Sequence, residues 1–341
     1  MKYILSVIGF SSFLLLSCGK KESAPSVVTP TNLTLNAVVS TDNSGNVAFT
    51  ATATNASTYD FDFGNGVFQT VPSGIVTYKY PAAGTYTVNV IAKSSTGQTA
   101  SKSTQITVAV AQSLVFSDEF DANGAPDPSK WGYDIGTGSG GWGNNELQYY
   151  TNRLDNAFVS NGTLKIKAIK ENFSGSAYTS ARILTQNKFS FKYGKVEVKA
   201  KLPVGVGTWP AVWMLGSNIN TVAWPACGEI DIMEHKGSQL NKIYGTVHHP
   251  ARFGGNADGG TRDITNATTE FHIYTMEWNA TSIKFLVDGN VFHTVANTSS
   301  LPFNQNFFLI MNLAMGGTFG GAVESGFSNA TMEIDYIRVY Q

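Results

Sequence analysis

The chain has 341 residues, room for two domains of ordinary size. Its 23 Lys and Arg nearly balance 24 Asp and Glu, with no long run of either sign, which excludes a polyanionic partner such as nucleic acid. Charged residues make up only 14%, while Gly (34), Phe (21) and Tyr (14) are plentiful, a mixture that predicts an all-β protein.

The first residues, "MKYILSVIGFSSFLLLSC", place Lys2 before an apolar run that ends at Leu16. The run is short for a membrane span and has the layout of an export signal. Its end, "LLLSC", resembles the bacterial lipoprotein box. That resemblance implies cleavage before Cys18, lipidation of the Cys18 thiol and an exported protein anchored in the envelope, its only membrane contact the lipid. Cys18 and Cys227 are the sole cysteines, so no internal disulfide is expected.

Residues 19–32 are polar and contain Pro25 and Pro30, the composition of a tether. Residues 33–110 then show short alternating runs such as "NVAFTATAT", "TYDFDF" and "TYTVNVIAK", separated by "GNG" and "AAG". That pattern predicts a small β-sandwich. "YDFDFGNG" and "YKYPAAGTYTVNV" resemble the PKD modules, which are immunoglobulin-like, although Asn65 stands where the family usually has Asp. Most such modules are spacers, and no aromatic cluster demands a sugar-binding role here.

After a short join, residues 113–341 carry many short β runs, from "LVFSDEFD" to the terminal "ATMEIDYIRVYQ", and hardly any amphipathic helix. A two-sheet jelly roll is the expected architecture.

Within it, "GEIDIMEH" sets Glu229, Asp231 and Glu234 among Ile230, Ile232 and Met233. Desolvating acids is costly, so the placement asks for a reason. Strand alternation puts Glu229 and Asp231 on one face with Cys227, and would bury Glu234 with the isoleucines. A β-bulge at Met233 returns Glu234 to the face of the other two. The two glutamates are then about 13–15 Å apart by Cα, and side chains leaning inward on a concave sheet close most of that gap. A separation of about 5–5.5 Å is what a retaining glycosidase needs. Calcium sites favour Asp, Asn and Gly at alternating loop positions, and "EIDIME" is too apolar between its acids for one.

With "GTWPAVWML" before it and "GTVHHP" after it, this stretch resembles glycoside hydrolase family 16, laminarinase branch. The likeness runs from Leu114 to Gln341 and includes "GWGNNELQYYT", "FHIYTMEW" and "NLAMGG". It implies Glu229 as nucleophile, Glu234 as acid/base and Asp231 as the assisting carboxylate. It also makes Asn145 and Arg182 sugar-binding and lines the cleft with His248 near the acids.

Trp209 and Trp213, four apart, share a face if the segment is extended, and their rings suit the apolar faces of sugars. Neither His248 nor His249 has a partner spaced for zinc. Cys227 reads as a small packing residue with a usable thiol. A structural calcium is common in the family, and the matching positions are Glu119 (or Asp118 in its place), the Gly162 carbonyl and Asp335; no cofactor is expected for catalysis. The expectation is a monomeric endo-β-1,3-glucanase acting on laminarin-like β-glucan, with mixed-linkage β-1,3/1,4-glucan as a second substrate. The alternatives are a galactanase for agar or carrageenan and a non-catalytic glucan-binding lipoprotein.

Overall fold

The computed structural model describes residues 27–341, so the export segment, Cys18 and most of the tether lie outside the described residues. The chain divides into two compact units, residues 1–111 and 112–341. The first strand is Thr31–Val39, so it starts inside the expected tether. Thr31 pairs with Thr54 and Thr34 with Thr52, and the β-branched threonines extend the strand beyond the proline-marked composition.

In the first unit the Asn46–Thr54 strand turns Val47, Phe49 and Ala51 inward and its threonines outward. It lies between Thr31–Val39 and Ile75–Lys79 in a three-stranded sheet. A four-stranded sheet holds Phe68–Val71, Thr58–Asp62, Gly84–Lys93 and Thr99–Val108 in that order. Phe49, Phe61, Phe63, Val88 and Val90 join one buried cluster from both sheets. The "DFGNG" turn is tied to this core. The Gly64 N–H donates to Asp62 Oδ1 (2.9 Å) and Asn65 Nδ2 donates to the Tyr78 hydroxyl (2.9 Å). Tyr78 stacks on Phe63 with ring centroids 4.0 Å apart.

The second unit is a sandwich of a ten-stranded and a seven-stranded sheet. The terminal Asn329–Tyr340 strand runs in the interior of the larger one, between Thr163–Phe173 and Gly194–Lys201. The smaller sheet runs Asp258–Asp263, Lys242–His248, Glu229–His235, Thr208–Gly216, Phe307–Met315, Arg182–Leu184, Gly132–Asp134. Val196, Met276 and Ile334 from the larger sheet meet Val212, Ile230, Leu309 and Met311 from the smaller, all fully buried. Among the described residues no helix is long and apolar enough to cross a membrane.

Every residue of Phe307–Met315 is buried, although a strand in a two-layer sandwich needs only one covered face. Phe307, Leu309, Met311, Leu313 and Met315 enter the core between the sheets, while Phe308 and Ile310 belong to a separate cluster with Trp213 packed against it. The second face is covered by the groups of the site.

Candidate active site

The site rests on a break in strand register. Glu229 faces His248 and Asp231 faces Thr246, yet Glu234 faces Tyr244, so Ile232 and Met233 together oppose Gly245. On the other side Trp213 pairs with Asp231 while its neighbour Val212 pairs with Met233. The bulge sends both Ile232 and Met233 into the core and brings Glu234 round to the other two acids. A Cβ on Gly245 would sit 2.8 Å from Phe285 Cγ, so the position opposite the bulge admits no side chain.

Asp231 (4% exposed) and Glu234 (8% exposed) are buried, and Glu229 is half-buried beside them. Burial pushes each of the three carboxyls up to about 8. Asp231 pushes Glu229 and Glu234 further up; His248 opposes this at both, joined by Arg182 at Glu229 and by the Trp209 hydrogen bond at Glu234. Acids crowded in one dry place share fewer charges between them than they would carry in water, so a proton is kept within the group.

Trp209 Nε1–H donates to Glu234 Oε1 at 2.9 Å, leaving Oε2 as the oxygen free to carry and deliver a proton. Trp213 shares that face and donates its Nε1–H to Asn312 Oδ1 at 2.8 Å. Arg182 lies between two indoles, its guanidinium carbon 4.6 Å from the Trp142 ring centroid and 4.8 Å from that of Trp213. Its Nε is 2.9 Å from Asp134 Oδ2 but points off that line, and Trp142 Nε1–H has no partner among the described residues. These two buried donors are suited to sugar hydroxyls. At the other end of the acids, Trp224 (41% exposed) and Phe253 (46% exposed) meet edge to face at 5.5 Å. Trp224 also packs on the His248 ring at 5.8 Å.

His248 Nε2 is 3.1 Å from Asp231 Oδ2 and 3.7 Å from Glu229 Oε1, as expected of a residue lining the cleft near the acids. Asn145 is exposed on a left-handed turn (φ 57°), and its side chain makes no hydrogen bond among the described residues. Its neighbour Glu146 is the hub there, accepting from Asn144 Nδ2, Gln148 Nε2 and the Tyr150 hydroxyl. Cys227 lies outside the acid strand and is fully buried with Leu184, Leu215, Phe308 and Ile310. Burial, then Glu229, pushes its thiol up to about 11, so it packs but offers no usable thiolate.

The expected calcium set is engaged otherwise. Both oxygens of Glu119 accept from Arg338, at 2.9 and 2.8 Å, and Asp335 Oδ2 is 2.6 Å from Lys199 Nζ. The turn around Gly162 holds the Lys165 ammonium against Ser160 O and Thr163 Oγ1. Each acid already faces a cation, so the set as arranged does not fit a calcium ion, which needs several free oxygens converging on one point.

Sequence reasoning missed Asn312, Asp134 and Glu146. Only Asn312 carried a readable signal, as the single polar residue in "FFLIMNLAM".

Residues 144–338 match the family described as glycosyl hydrolases family 16. A second family, beta-glucan synthesis-associated protein SKN1/KRE6/Sbg1, matches residues 47–229, a span that straddles the two units and stops short of Asp231 and Glu234. A beta-glucanase from Rhodothermus marinus is 45% identical over 67% of this chain and 85% of its own. A glucan endo-1,3-beta-glucosidase A1 from Niallia circulans is 38% identical over 67% of this chain and 38% of its own. The X-ray structure of the laminarinase from Rhodothermus marinus superposes with a TM-score of 0.65 at 45% identity, covering 68% of this chain and 98% of that one. By the span and identity of these matches, this chain belongs to family 16 of the glycosyl hydrolases.

Proposed function

We propose that the second unit is a retaining endo-β-1,3-glucanase in which Glu229 attacks the anomeric carbon and Glu234 supplies the proton. The observation that carries these roles is the bulge, which brings the three acids to one face with Trp209 fixed on Glu234 Oε1. Glu234 protonates the glycosidic oxygen as the bond breaks and Glu229 forms the glycosyl-enzyme; Glu234 then takes a proton from the water that releases it. Asp231, beside Glu234, helps it keep the proton it delivers. The activities of the relatives support the substrate class: laminarin-like β-1,3-glucan, with mixed-linkage glucan second.

A sulfated galactan would need free cations in the cleft. Arg182 is enclosed by Trp142, Trp213 and Asp134, and Lys236 Nζ sits 4.0 Å over the Phe319 ring. Both are engaged, which favours the neutral glucan. The test is reducing-sugar release from laminarin, lichenan, agarose and carrageenan, with proton NMR of the first anomer formed. Rapid release from laminarin as the β-anomer is expected; release from the galactans alone, or of the α-anomer, would overturn the reading.

Replacing Arg182 with Ala removes the cation between two indoles and leaves them without a filler. KM for laminarin should rise about 10-fold with a smaller change in kcat, because the lost contacts serve ground state and transition state alike. Steady-state kinetics checks this, and a loss carried by kcat alone would place Arg182 at the reacting atoms instead.

The first unit is a PKD-like spacer in this reading, and Cys18 carries the lipid that holds the enzyme at the envelope. The lipoprotein box supports the anchor. Cys18→Ser should move the protein from the membrane fraction to the soluble one; unchanged partitioning would sink it.

A further inference from the structure

The ring of His248 accepts a backbone N–H at one nitrogen and faces a carboxyl oxygen at the other, and the first contact says where its proton lies. The Gly254 backbone N–H donates to His248 Nδ1 at 3.1 Å. A nitrogen that accepts an N–H carries no proton of its own, so in the neutral ring the proton is on Nε2. The same N–H opposes the imidazolium, which would set two donors face to face. On the other side of the ring, Nε2 is 3.1 Å from Asp231 Oδ2. That oxygen is buried and has no aligned hydrogen-bond donor among the described residues. The distance fits a hydrogen bond while the N–H still points off the line, a common state of such contacts before substrate binds.

We propose that His248 is a positioning residue for this reaction: Gly254 locks its neutral tautomer with the proton on Nε2, and that proton is given to Asp231 Oδ2 to hold the central carboxyl between Glu229 and Glu234. The proposal rests on the reading of those two glutamates as the catalytic pair.

The lock is built into the turn after the Lys242–His248 strand. Gly254 has a left-handed backbone (φ 56°), and the turn is closed behind it by the Ala257 N–H donating to Gly254 O at 3.1 Å. Ahead of it, His249 and Arg252 exchange backbone N–H···O bonds of 2.9 Å each, so the direction of the Gly254 N–H is set by a closed local frame. The ring itself is flanked by Trp224 and carried by a strand whose register places His248 directly opposite Glu229.

The same lock argues against a metal. Oxygens of Glu229 and Asp231 and a ring nitrogen of His248 lie within 4.8 Å of one another, a grouping with the donor types of a divalent cation site. A cation taking Nε2 would force the ring proton to Nδ1, against the Gly254 N–H. Metal-bound histidines instead give their second N–H to an acceptor.

The test uses the full chain in two arms. With ¹⁵N-labelled histidine, long-range proton–nitrogen spectra should show His248 with a bare, pyridine-type Nδ1 and a protonated Nε2, the signal being assigned by its loss in His248→Gln. A proton on Nδ1, or on both nitrogens, overturns the proposal whether or not the enzyme cleaves laminarin. In the second arm, His248→Ala should lower kcat on laminarin about 10- to 100-fold, the cost of leaving a buried oxygen unpaired. KM should stay within about threefold. His248→Gln, whose amide N–H reaches the place of Nε2–H, should recover most of kcat. Equal impairment of the two variants, or a loss carried by KM, overturns it. A wild-type chain inactive on laminarin would sink the proposed function while leaving the tautomer result to stand by itself.

Discussion

Glu229→Ala is expected to lose on the order of 10⁴-fold or more in hydrolysis of laminarin, and added azide should then yield a glycosyl azide of inverted configuration. The argument follows from which oxygen each acid offers. Removing the Glu229 carboxyl opens space beside the anomeric carbon on the face from which it attacks. Azide fits that space and displaces the sugar in one step, while Glu234 still protonates the leaving oxygen. Glu234→Ala leaves the nucleophile in place, so a substrate with a good leaving group forms the glycosyl-enzyme without help. Azide intercepts that species from the opposite side, and two displacements give a product of retained configuration. Proton NMR of the anomeric centre reads both outcomes. The opposite pattern would exchange the roles of the two glutamates. Neither variant should lose its fold, since each removes a buried acid that the surrounding apolar groups disfavour.

That the acids share a face was legible in the sequence, because strand alternation and one misplaced glutamate together require an extra residue. The bulge falls across Ile232 and Met233, as the pattern of apolar and acidic positions demands. Trp209 and Trp213 were legible for the same reason, a spacing of four along one strand. The partners of these groups were not. Asn312 reaches Trp213 from a strand about a hundred residues later, and Asp134 reaches Arg182 from one about fifty residues earlier, pairings that sheet topology creates. Cys227 looked as if it shared the cleft face because alternation was extended beyond Glu229, where the strand has already ended. Burial depth was equally hidden. The structure raises the Glu229 and Glu234 carboxyls alike, which strand alternation does not reveal. What differs between them is the Trp209 N–H, which is fixed on Glu234 Oε1 and has no counterpart at Glu229.

Burial of that depth has a thermodynamic consequence, and Asp231→Asn should expose it as a gain in stability at alkaline pH. Each acid has an ordinary carboxyl value near 4 in the unfolded chain and about 8 in the folded one. Between those values the folded state binds more protons than the unfolded state, so stability falls as pH rises through the window from about 4 to about 8. Above it the penalty is complete and flat. Asn in place of Asp231 removes one titrating group and also the charge that pushes Glu229 and Glu234 up, while its side-chain oxygen can still accept from His248. The variant should match the wild type near pH 4, draw ahead as pH rises and exceed it by about 2 kcal/mol or more at pH 8–9. In a unit of this size that corresponds to a rise of about 4–8 °C in Tm. All six tryptophans, from Trp131 to Trp278, lie in the second unit, so intrinsic fluorescence reports its unfolding alone. Melts at pH 4, 6 and 8 decide the matter. A gap that does not change with pH would assign the effect to packing, and a wild type more stable at pH 8 would mean that the folded acids are already ionised. Activity should move the other way, falling by roughly 10²-fold or more, because the group that destabilises the fold is the one that keeps a proton on Glu234 at the working pH.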